Sequence, residues 1–327
     1  MNTVRWGLLS TAVINRALIP VIRAARRGEV VAVASRDEAK ARAYASQWEI
    51  PRWFGSYEAM LASDAVDAVY VSLPNHLHAE WTIKALESGH HVLCEKPFAL
   101  RLEDVDAMIA ASERSGKVLA EAVMYRHHPQ TRAVGEWVRS GRLGEVMLVR
   151  SVFNFRFRAR RNIRMVPDYG GGCLWDVGVY PVSFAQLVYG GPPETVVGRM
   201  WVGETAVDES FVGQLHFADQ RFAQIASGFN TPWYTMAEVV GTEGRLHLNR
   251  PFTFLQEGRH LVFHPKDGEP QEVFVPEQAL YAGQVEDMHA AILDGAEPCV
   301  SLHESRNHVR TVLALHASAR TGQVTNV

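Results

Sequence analysis

Two short segments of the chain carry side chains that can move protons beside a reacting carbon. Lys96 stands in the Glu-Lys-Pro motif at 95–97, directly after an apolar run. The glycine-rich segment 170–180 places a carboxylate and a phenol four residues apart, at Asp176 and Tyr180, and both share one face if the segment is helical. Oxidation of an alcohol carbon needs a base for the hydroxyl proton, and the reverse reaction needs the matching acid. These residue types can supply proton transfer of this kind.

The three side chains can divide this chemistry between them. A phenol with an ordinary pKa of about 10 is a poor base at neutral pH, whereas a nearby ammonium group favours the phenolate. We expect Tyr180 to be the acid or base, Lys96 to tune it and donate to the substrate, and Asp176 to position the hydroxyl or the lysine. Lys96 as the proton donor is the alternative. Each residue, taken singly, could equally have a structural role: Lys96 as a solvated strand end, Asp176 as a helix cap and Tyr180 as a core aromatic.

The first third of the chain has the rhythm of a buried parallel sheet. Short β-branched apolar runs alternate with amphipathic stretches, which is typical of βαβ units. The predicted strands are 4–9, 30–35, 68–73, 91–95 and 118–122, and the predicted helices are 14–27, 36–48, 57–62, 79–88 and 102–115. Gly28, Gly89 and Gly116 stand where these helices end, as helix C-caps prefer.

The rhythm changes after Pro129, and a second domain is expected there. A helix at 131–140 and a long strand at 145–157 precede the glycine-rich segment; successive strands with turn signals follow over 196–274, and helices over 277–293 and 302–321. We therefore predict an α/β protein with a doubly wound parallel Rossmann sheet at 1–126. A substrate-binding and oligomerisation domain with a large, mostly antiparallel open sheet is predicted at 127–327.

The turn after the first predicted strand has the place and residue types of a pyrophosphate-binding turn. Set against G-x-G-x-x-G, Gly7 fills the first glycine position, Leu9 the second and Ala12 the third. Ser10 and Thr11 partly compensate for the missing glycines, because their hydroxyls can donate to phosphate oxygens. An ordinary strand-to-helix turn is the structural alternative.

The end of the second predicted strand bears on the choice of cofactor. Ser35 and Arg36 stand where an NAD-specific domain usually has an acidic residue for the ribose 2′-hydroxyl. The planar guanidinium of arginine suits a 2′-phosphate, and serine offers a further donor, although Asp37 follows directly and would oppose it. We expect NADP in preference to NAD, with NAD as the alternative. The structural explanation is a helix N-terminus capped by Ser35.

Further cofactor contacts are expected after the third and fourth strands, because residues past the carboxyl ends of parallel strands line the ligand crevice. The candidates are Leu73, Pro74, Asn75, His78, Glu95 and Lys96. Asn75 and Lys96 would flank the nicotinamide. His76 and His78 have H-x-H spacing without a third ligand, so we expect no metal site. His78 is expected to cap the following helix or to touch the cofactor.

Composition argues against several classes of function. The 33 basic and 36 acidic residues leave a net charge of -3, which would not attract nucleic acid or an anionic membrane. The arginine-rich stretch 156–164 reads as a solvated loop or as a substrate or cofactor contact. The 3 cysteines form no C-x-x-C pair, and no apolar run approaches about 20 residues. We expect a cytoplasmic protein without a nucleic-acid or membrane partner.

Over its whole length the chain resembles the Gfo/Idh/MocA family of NAD(P)-dependent oxidoreductases. The resemblance is carried by the turn at Gly7, the motifs at 74–78 and 95–97, the triple glycine leading to 176 and 180, the turn at 241–244 and the last helix, 302–322. It implies a Rossmann domain followed by an α/β domain whose open sheet commonly forms the subunit interface, and hence a homo-oligomer. It places the family lysine on Lys96 and the helix aspartate on Asp176, and it implies a cis Lys96–Pro97 bond.

The resemblance also suggests a substrate class. Tyrosine at 180, where many inositol dehydrogenase-like members have histidine, is similar to the glucose-fructose oxidoreductase, dihydrodiol dehydrogenase and xylose dehydrogenase branch, which favours NADP. The stretch 162–164 is similar to the xylose dehydrogenase type. Substrate contacts are expected from Arg126, Asn162, Arg164, Asp176 and Tyr180, with structural packing as the alternative for Arg126.

The function implied is an aldose 1-dehydrogenase for a xylose- or glucose-type sugar, within a broader class that acts on sugar or polyol carbons. The nearest alternatives are an NADPH-dependent keto-sugar or anhydrosugar reductase and a dihydrodiol dehydrogenase. An NAD-dependent glycosidase and a dinucleotide-sensing regulator are alternatives from other classes. The regulator is disfavoured because it need not keep Lys96, Asp176 and Tyr180, which are all present.

Overall fold

The computed structural model describes residues 2–253 and 260–327. Two predictions extend outside the described residues: the N-terminal domain limit at residue 1, and the part of the strand region 196–274 that covers 254–259. The chain groups into two compact units: Met1–His127 with Tyr281–Arg306, and His128–Leu280 with Asn307–Val327. The first unit thus includes 281–306, which the sequence assigns to the C-terminal domain.

The first unit contains a six-stranded parallel sheet with helices in the crossovers. The strands are β1 Val4–Leu8, β2 Gly28–Ala34, β3 Arg52–Phe54, β4 Ala68–Val71, β5 His91–Glu95 and β6 Leu119–Ala122. The helices are α1 Asn15–Ala24, α2 Glu38–Gln47, α3 Tyr57–Leu61, α4 His78–Glu87 and α5 Leu102–Ser115. The strand order β3-β2-β1-β4-β5-β6 is that of a Rossmann fold, which confirms the predicted class.

Local sequence explains where these elements begin and end. The Asp37 carboxylate accepts a hydrogen bond from the Lys40 N–H and caps α2, and Gly116 ends α5 in the left-handed region. The prediction that Gly28 ends a helix is wrong, because Gly28 begins β2 and α1 stops at Ala24. A Cβ at Gly28 would lie 2.6 Å from the ring of His289, so glycine is needed there for close packing.

The second unit is built on a nine-stranded sheet. Its strands are β7 Val146–Asn154, β8 Thr195–Val202, β9 Asp208–Phe217, β10 Arg221–Gly228, β11 Tyr234–Gly241, β12 Gly244–Asn249, β13 Leu261–Pro265, β14 Gln271–Glu272 and β15 Thr325–Asn326. The order is β14-β13-β12-β11-β7-β10-β9-β8-β15, and all neighbours are antiparallel except β7 and β10. Helices α6 Pro129–Arg139 and α7 Val179–Tyr189 also belong to this unit.

Two further helices follow, α8 Ala282–Asp294 and α9 Leu302–Thr321. The observed bounds of α9 are those predicted, and α8 starts five residues later than predicted. Among the described helices, none is both long enough and apolar enough to cross a membrane.

Acid should destabilise the first unit through His289 on α8. The side chain has no exposed surface, and its Nε2 accepts a hydrogen bond from Trp6 Nε1 at 3.0 Å. Burial, with a smaller effect of Arg27, lowers the pKa of His289 to about 4 from an ordinary value of 6.5. The neutral ring is therefore favoured in the folded state. Its contribution is fully present above pH 6.5 and is lost as the pH falls to about 4, roughly 3 kcal/mol in total.

This expectation can be measured by urea unfolding between pH 4 and pH 8. The variant His289→Gln keeps a hydrogen-bond acceptor but cannot titrate, so the wild type should lose more free energy of unfolding than the variant as the pH falls. Glu286, exposed and 3.9 Å from Nδ1, offsets little of the effect. Equal pH dependence of the two proteins would contradict the assignment.

Candidate active site

A buried hydrogen-bond network shapes the predicted phosphate-binding turn. Ser10 Oγ lies 2.8 Å from Ser72 Oγ and accepts a hydrogen bond from Ala12 N at 3.0 Å. Asn15 Nδ2 donates to Ser10 O at 2.8 Å, and Ser72 Oγ donates to Asn15 Oδ1 at 2.7 Å. The Ser10 hydroxyl is thus engaged within the turn, and its donation to a phosphate stays a prediction. Sequence reasoning missed Asn15 and Ser72.

The other residues of this turn lie at the end of β1. Gly7 is buried in the strand beside Val66 and Met60, and Leu9 has no exposed surface. Thr11 is half-buried and follows directly, before α1 begins. The side chain at the second glycine position therefore points into the core, and the backbone of the turn is what a ligand can approach.

The predicted 2′-phosphate position lies at the end of β2. Arg36 is exposed, and its charge partly opposes the rise that burial causes in the pKa of the Tyr57 hydroxyl. Ser35 Oγ accepts a hydrogen bond from Asp37 N at 3.2 Å, whereas the Asp37 carboxylate caps α2. Ser35 as the helix cap is therefore wrong. Contact of Ser35 and Arg36 with a 2′-phosphate stays a prediction.

His78 connects the turns that follow β4 and β5. The ring is fully buried, with Nδ1 2.8 Å from Pro97 O and Nε2 2.8 Å from Leu73 O. Burial lowers its pKa, which the two carbonyl contacts partly oppose. The side chain does not cap α4, so that alternative is wrong, and cofactor contact stays a prediction. The ring holds together the two turns that carry Asn75 and Lys96.

Lys96 follows β5 at the carboxyl edge of the Rossmann sheet. The Lys96–Pro97 bond is cis, as predicted, and the lysine is half-buried. Its neighbour Glu95 accepts hydrogen bonds from the Tyr70 hydroxyl and from Lys96 N. Burial raises the pKa of Glu95, and the lysine charge opposes this rise. Glu95 is thus held by protein contacts beside the candidate catalytic lysine.

Asn75 and Arg126 are the remaining candidates of the first unit, and each lies in a short 3-10 turn, Asn75–Leu77 and Met124–His127. Asn75 begins a single 3-10 turn, Asn75–Leu77, directly after Pro74, and His76 is exposed while His78 is buried. Among the described residues, no group of three His, Cys, Asp or Glu side chains is arranged to hold a metal ion. Arg126 is buried and pairs with Glu304 at 2.9 Å, so its contact with a substrate stays a prediction.

In the second unit, Asp176 lies in a π-helical turn, Leu174–Gly178, that leads into α7. The sequence argument takes a helix after Gly172 as its condition and does not predict this wider turn. Asp176 is buried, and its Oδ2 accepts a hydrogen bond from Arg164 Nε at 2.7 Å. Two predicted substrate residues are therefore in direct contact. Because π-helical turns occur often at functional sites, the turn itself marks this segment.

Tyr180 lies in the first turn of α7, four residues after Asp176. Four residues are close to one turn of either helix type, so both residues lie on nearly one face. The Tyr180 ring stacks on Phe252, with centroids 5.8 Å apart, and packs against Phe153 at 5.5 Å. Aromatic packing on two sides restricts the ring and hence the position of its hydroxyl.

Asn162 and the triple glycine shape the backbone around this pair. Asn162 Oδ1 accepts a hydrogen bond from Arg164 N at 3.1 Å, so its side chain has a structural role. Gly171 N and Gly172 N donate to Val166 O and Arg164 O at 3.0 and 2.9 Å. The glycines thus pack directly on the segment that holds Arg164. Convergence of Lys96 with Asp176 and Tyr180 stays a prediction.

Comparison with known proteins places the chain in a family. Residues 4–123 match an oxidoreductase family model with an NAD-binding Rossmann fold, and residues 131–247 match the Gfo/Idh/MocA C-terminal domain. The D-xylose 1-dehydrogenase (NADP(+)) 2 of Haloferax volcanii is 39% identical over 320 residues, which cover 97% of this chain and 98% of the relative.

Two solved structures are similar over nearly the whole chain. Aldose-aldose oxidoreductase from Caulobacter crescentus, complexed with glycerol, has a TM-score of 0.92 at 25% identity, covering 99% of this chain and 100% of that one. KijD10, a 3-ketoreductase from Actinomadura kijaniata in complex with NADP and TDP-benzene, has a TM-score of 0.90 at 30% identity, covering 97% and 98%. The chain belongs to the Gfo/Idh/MocA family of oxidoreductases.

Proposed function

We propose that the protein is an NADP-dependent aldose 1-dehydrogenase acting on a xylose- or glucose-type sugar. The observation that carries the proposal is the buried Asp176, fixed by Arg164 at 2.7 Å, one helical turn before the packed Tyr180. Lys96 follows β5 at the carboxyl edge of the Rossmann sheet, and its role is supported by the rule that dinucleotides bind along that edge in such folds. The Haloferax relative, named for xylose and NADP, supports the substrate class.

The residues present fit a dinucleotide with a 2′-phosphate. The turn between β1 and α1 is held in shape by buried Ser10 and Asn15, and Arg36 is exposed at the end of β2. When bound, NADP supplies the acceptor for the hydride that leaves the sugar carbon. Tyr180 takes the hydroxyl proton, Lys96 stabilises the phenolate and the substrate oxygen, and Asp176 orients a sugar hydroxyl.

Arg36 should decide the preference for NADP over NAD. Replacement by alanine removes the charge-assisted contact with the 2′-phosphate, so we expect KM for NADP to rise about 10-fold and KM for NAD to change little. Arg42→Ala is the matched control, since it removes the same charge from α2, where Arg42 lies over the Trp53 ring. Steady-state kinetics with both cofactors measures the ratio. An unchanged ratio in Arg36→Ala would contradict this role.

An activity screen tests the proposed reaction. Purified protein is assayed with NADP and NAD against a panel of aldoses, and with NADPH against keto-sugars, following absorbance of the reduced cofactor. We expect oxidation of xylose or glucose with NADP. Reduction of keto-sugars without oxidation of any aldose would overturn the proposal.

A keto-sugar reductase is the second candidate function. The similarity to the 3-ketoreductase KijD10 favours it, together with the arginine-rich stretch 156–164. In this stretch Arg160 pairs with Glu204 and Arg164 pairs with Asp176. A substrate with an anionic group would be attracted by the remaining arginines. The same screen separates the two reactions.

We also propose a homo-oligomer formed through the nine-stranded sheet. Trp201, Val212, Phe222 and Tyr234 are each more than two-fifths exposed. The strand registers place them on one face. Val212 pairs with Arg199, two residues before Trp201, and with Ala226, four residues after Phe222. Tyr234 pairs with Asn154, which pairs with Gly228, six residues after Phe222. An apolar face of this kind is typical of subunit interfaces. Light scattering tests this proposal: a charge on this face in Val212→Glu should lower the molar mass in solution below that of the wild type.

A further inference from the structure

Asp208 is a buried carboxylate beneath the turn that carries Asp176. It begins β9 and is 5% exposed. Its Oδ2 accepts hydrogen bonds from Leu174 N at 2.7 Å and from Cys173 Sγ at 3.1 Å. Among the described residues, no basic side chain forms an ion pair with Asp208. Its charge is therefore balanced by N–H and thiol donors of a single backbone turn.

Gly172 is matched to this carboxylate. Its φ of +110° lies in the region that favours glycine. A Cβ at this position would lie 2.0 Å from Asp208 Oδ1. Any larger residue at 172 would displace the carboxylate, so the third glycine of the triplet makes room for Asp208.

The 172–174 turn, which Asp208 holds, leads directly to Asp176 in the candidate site. Cys173 and Leu174, the two residues that donate to Asp208, start the π-helical turn, and Asp176 N donates to Gly172 O at 3.0 Å. The carboxylate of Asp176 meets Arg164 on its other side. Asp208 thus fixes the backbone of Asp176 through the 172–174 turn, and Arg164 fixes the Asp176 side chain.

We propose that Asp208 is a positioning residue for the reaction: its ionised carboxylate holds the 172–174 turn and so keeps Asp176 in place to orient the sugar. This rests on the proposed function, in which Asp176 touches the substrate. Asp208 acts only through the backbone and is not itself a catalytic residue. Misplacement of a substrate-orienting group by about 1 Å can cost on the order of 100-fold in rate.

Protonation of Asp208 should weaken this hold. Burial raises the pKa of Asp208 to about 6, while the hydrogen bonds from Leu174 and Cys173 oppose the rise. The groups that face it are the Cys173 thiol, whose pKa burial also raises, and, through that thiol, the Ser227 hydroxyl of β10. The Asp176 carboxylate, paired with Arg164, lies further along the turn. We expect kcat/KM for the sugar to fall below about pH 6 as Asp208 becomes neutral.

The test compares Asp208→Asn with the control Asp219→Asn, which removes the same charge from an exposed turn of the same unit. Both are assayed over pH 5–9 with whichever sugar the wild type turns over. Cofactor affinity is followed by NADPH fluorescence and folding by Tm. In Asp208→Asn we expect kcat/KM for the sugar to fall about 10-fold or more, the acid limb near pH 6 to disappear, and NADPH affinity to stay unchanged. The control should match the wild type.

Cys173→Ala provides a second, independent measurement. It removes one donor to the carboxylate, so the acid limb should move to higher pH while the rate above it stays near that of the wild type. If the wild type is active and both Asp208→Asn and Cys173→Ala have its pH profile, the role of Asp208 is overturned while the proposed function stands. A wild type that turns over no sugar with either cofactor overturns the proposed function, and the role of Asp208 with it.

Discussion

Replacement of Lys96 by methionine is expected to lower turnover about 100-fold or more while nucleotide binding persists. Methionine keeps most of the length of the side chain but removes the ammonium group. Without that charge, neither a phenolate at Tyr180 nor negative charge developing on the substrate oxygen is stabilised. The turn should keep its shape, because it is held by His78 contacts with Leu73 O and Pro97 O that do not involve the lysine side chain.

Steady-state kinetics and NADPH fluorescence together test this result. Lys117→Met is the matched control, because Lys117 precedes β6 at the opposite, amino-terminal edge of the same sheet. A fall in kcat with unchanged NADPH affinity in Lys96→Met, and neither change in the control, would assign the ammonium group to the chemical step. Retention of the wild-type rate by Lys96→Met would remove Lys96 from that step.

Elements with long, regular patterns could be predicted from the sequence. The bounds of α5, α9 and β5 agree with the prediction to the residue, because amphipathic periodicity and a terminal glycine or proline define their ends. Strand β3 escaped prediction. It has three residues, and Trp53 in its middle is 42% exposed, so neither alternation nor a buried run is visible.

The candidate site was predictable where its residues stand in compact motifs. Lys96 and Asp176 each lie within a short run whose residue types imply chemistry. Asp208 and Asn15 lack such a run, because their partners are distant in sequence: Asp208 is 34 residues from Leu174, and Asn15 is 57 residues from Ser72. A buried polar residue that acts through the backbone of another segment leaves little local pattern.

Replacement of Tyr180 by phenylalanine is expected to lower kcat about 100-fold or more, because it removes the hydroxyl that exchanges the proton. The ring and its packing against Phe153 and Phe252 are retained, so neither folding nor NADPH affinity should change. Tyr189→Phe is the control, since it removes a hydroxyl, bonded to Phe222 O, from the last turn of the same helix.

The pH profile of Tyr180→Phe separates the two candidates for the acid or base. If Tyr180 exchanges the proton, phenylalanine abolishes the limb of kcat that reports its ionisation, and the residual rate is flat in that range. If Lys96 exchanges the proton instead, the phenylalanine variant keeps both the limb and most of the rate, whereas Lys96→Met loses them. A substrate whose reacting hydroxyl is more acidic depends less on the base. Such a substrate should rescue Tyr180→Phe if Tyr180 exchanges the proton, and Lys96→Met if Lys96 does. The variant that such a substrate rescues therefore names the group that holds the proton during hydride transfer.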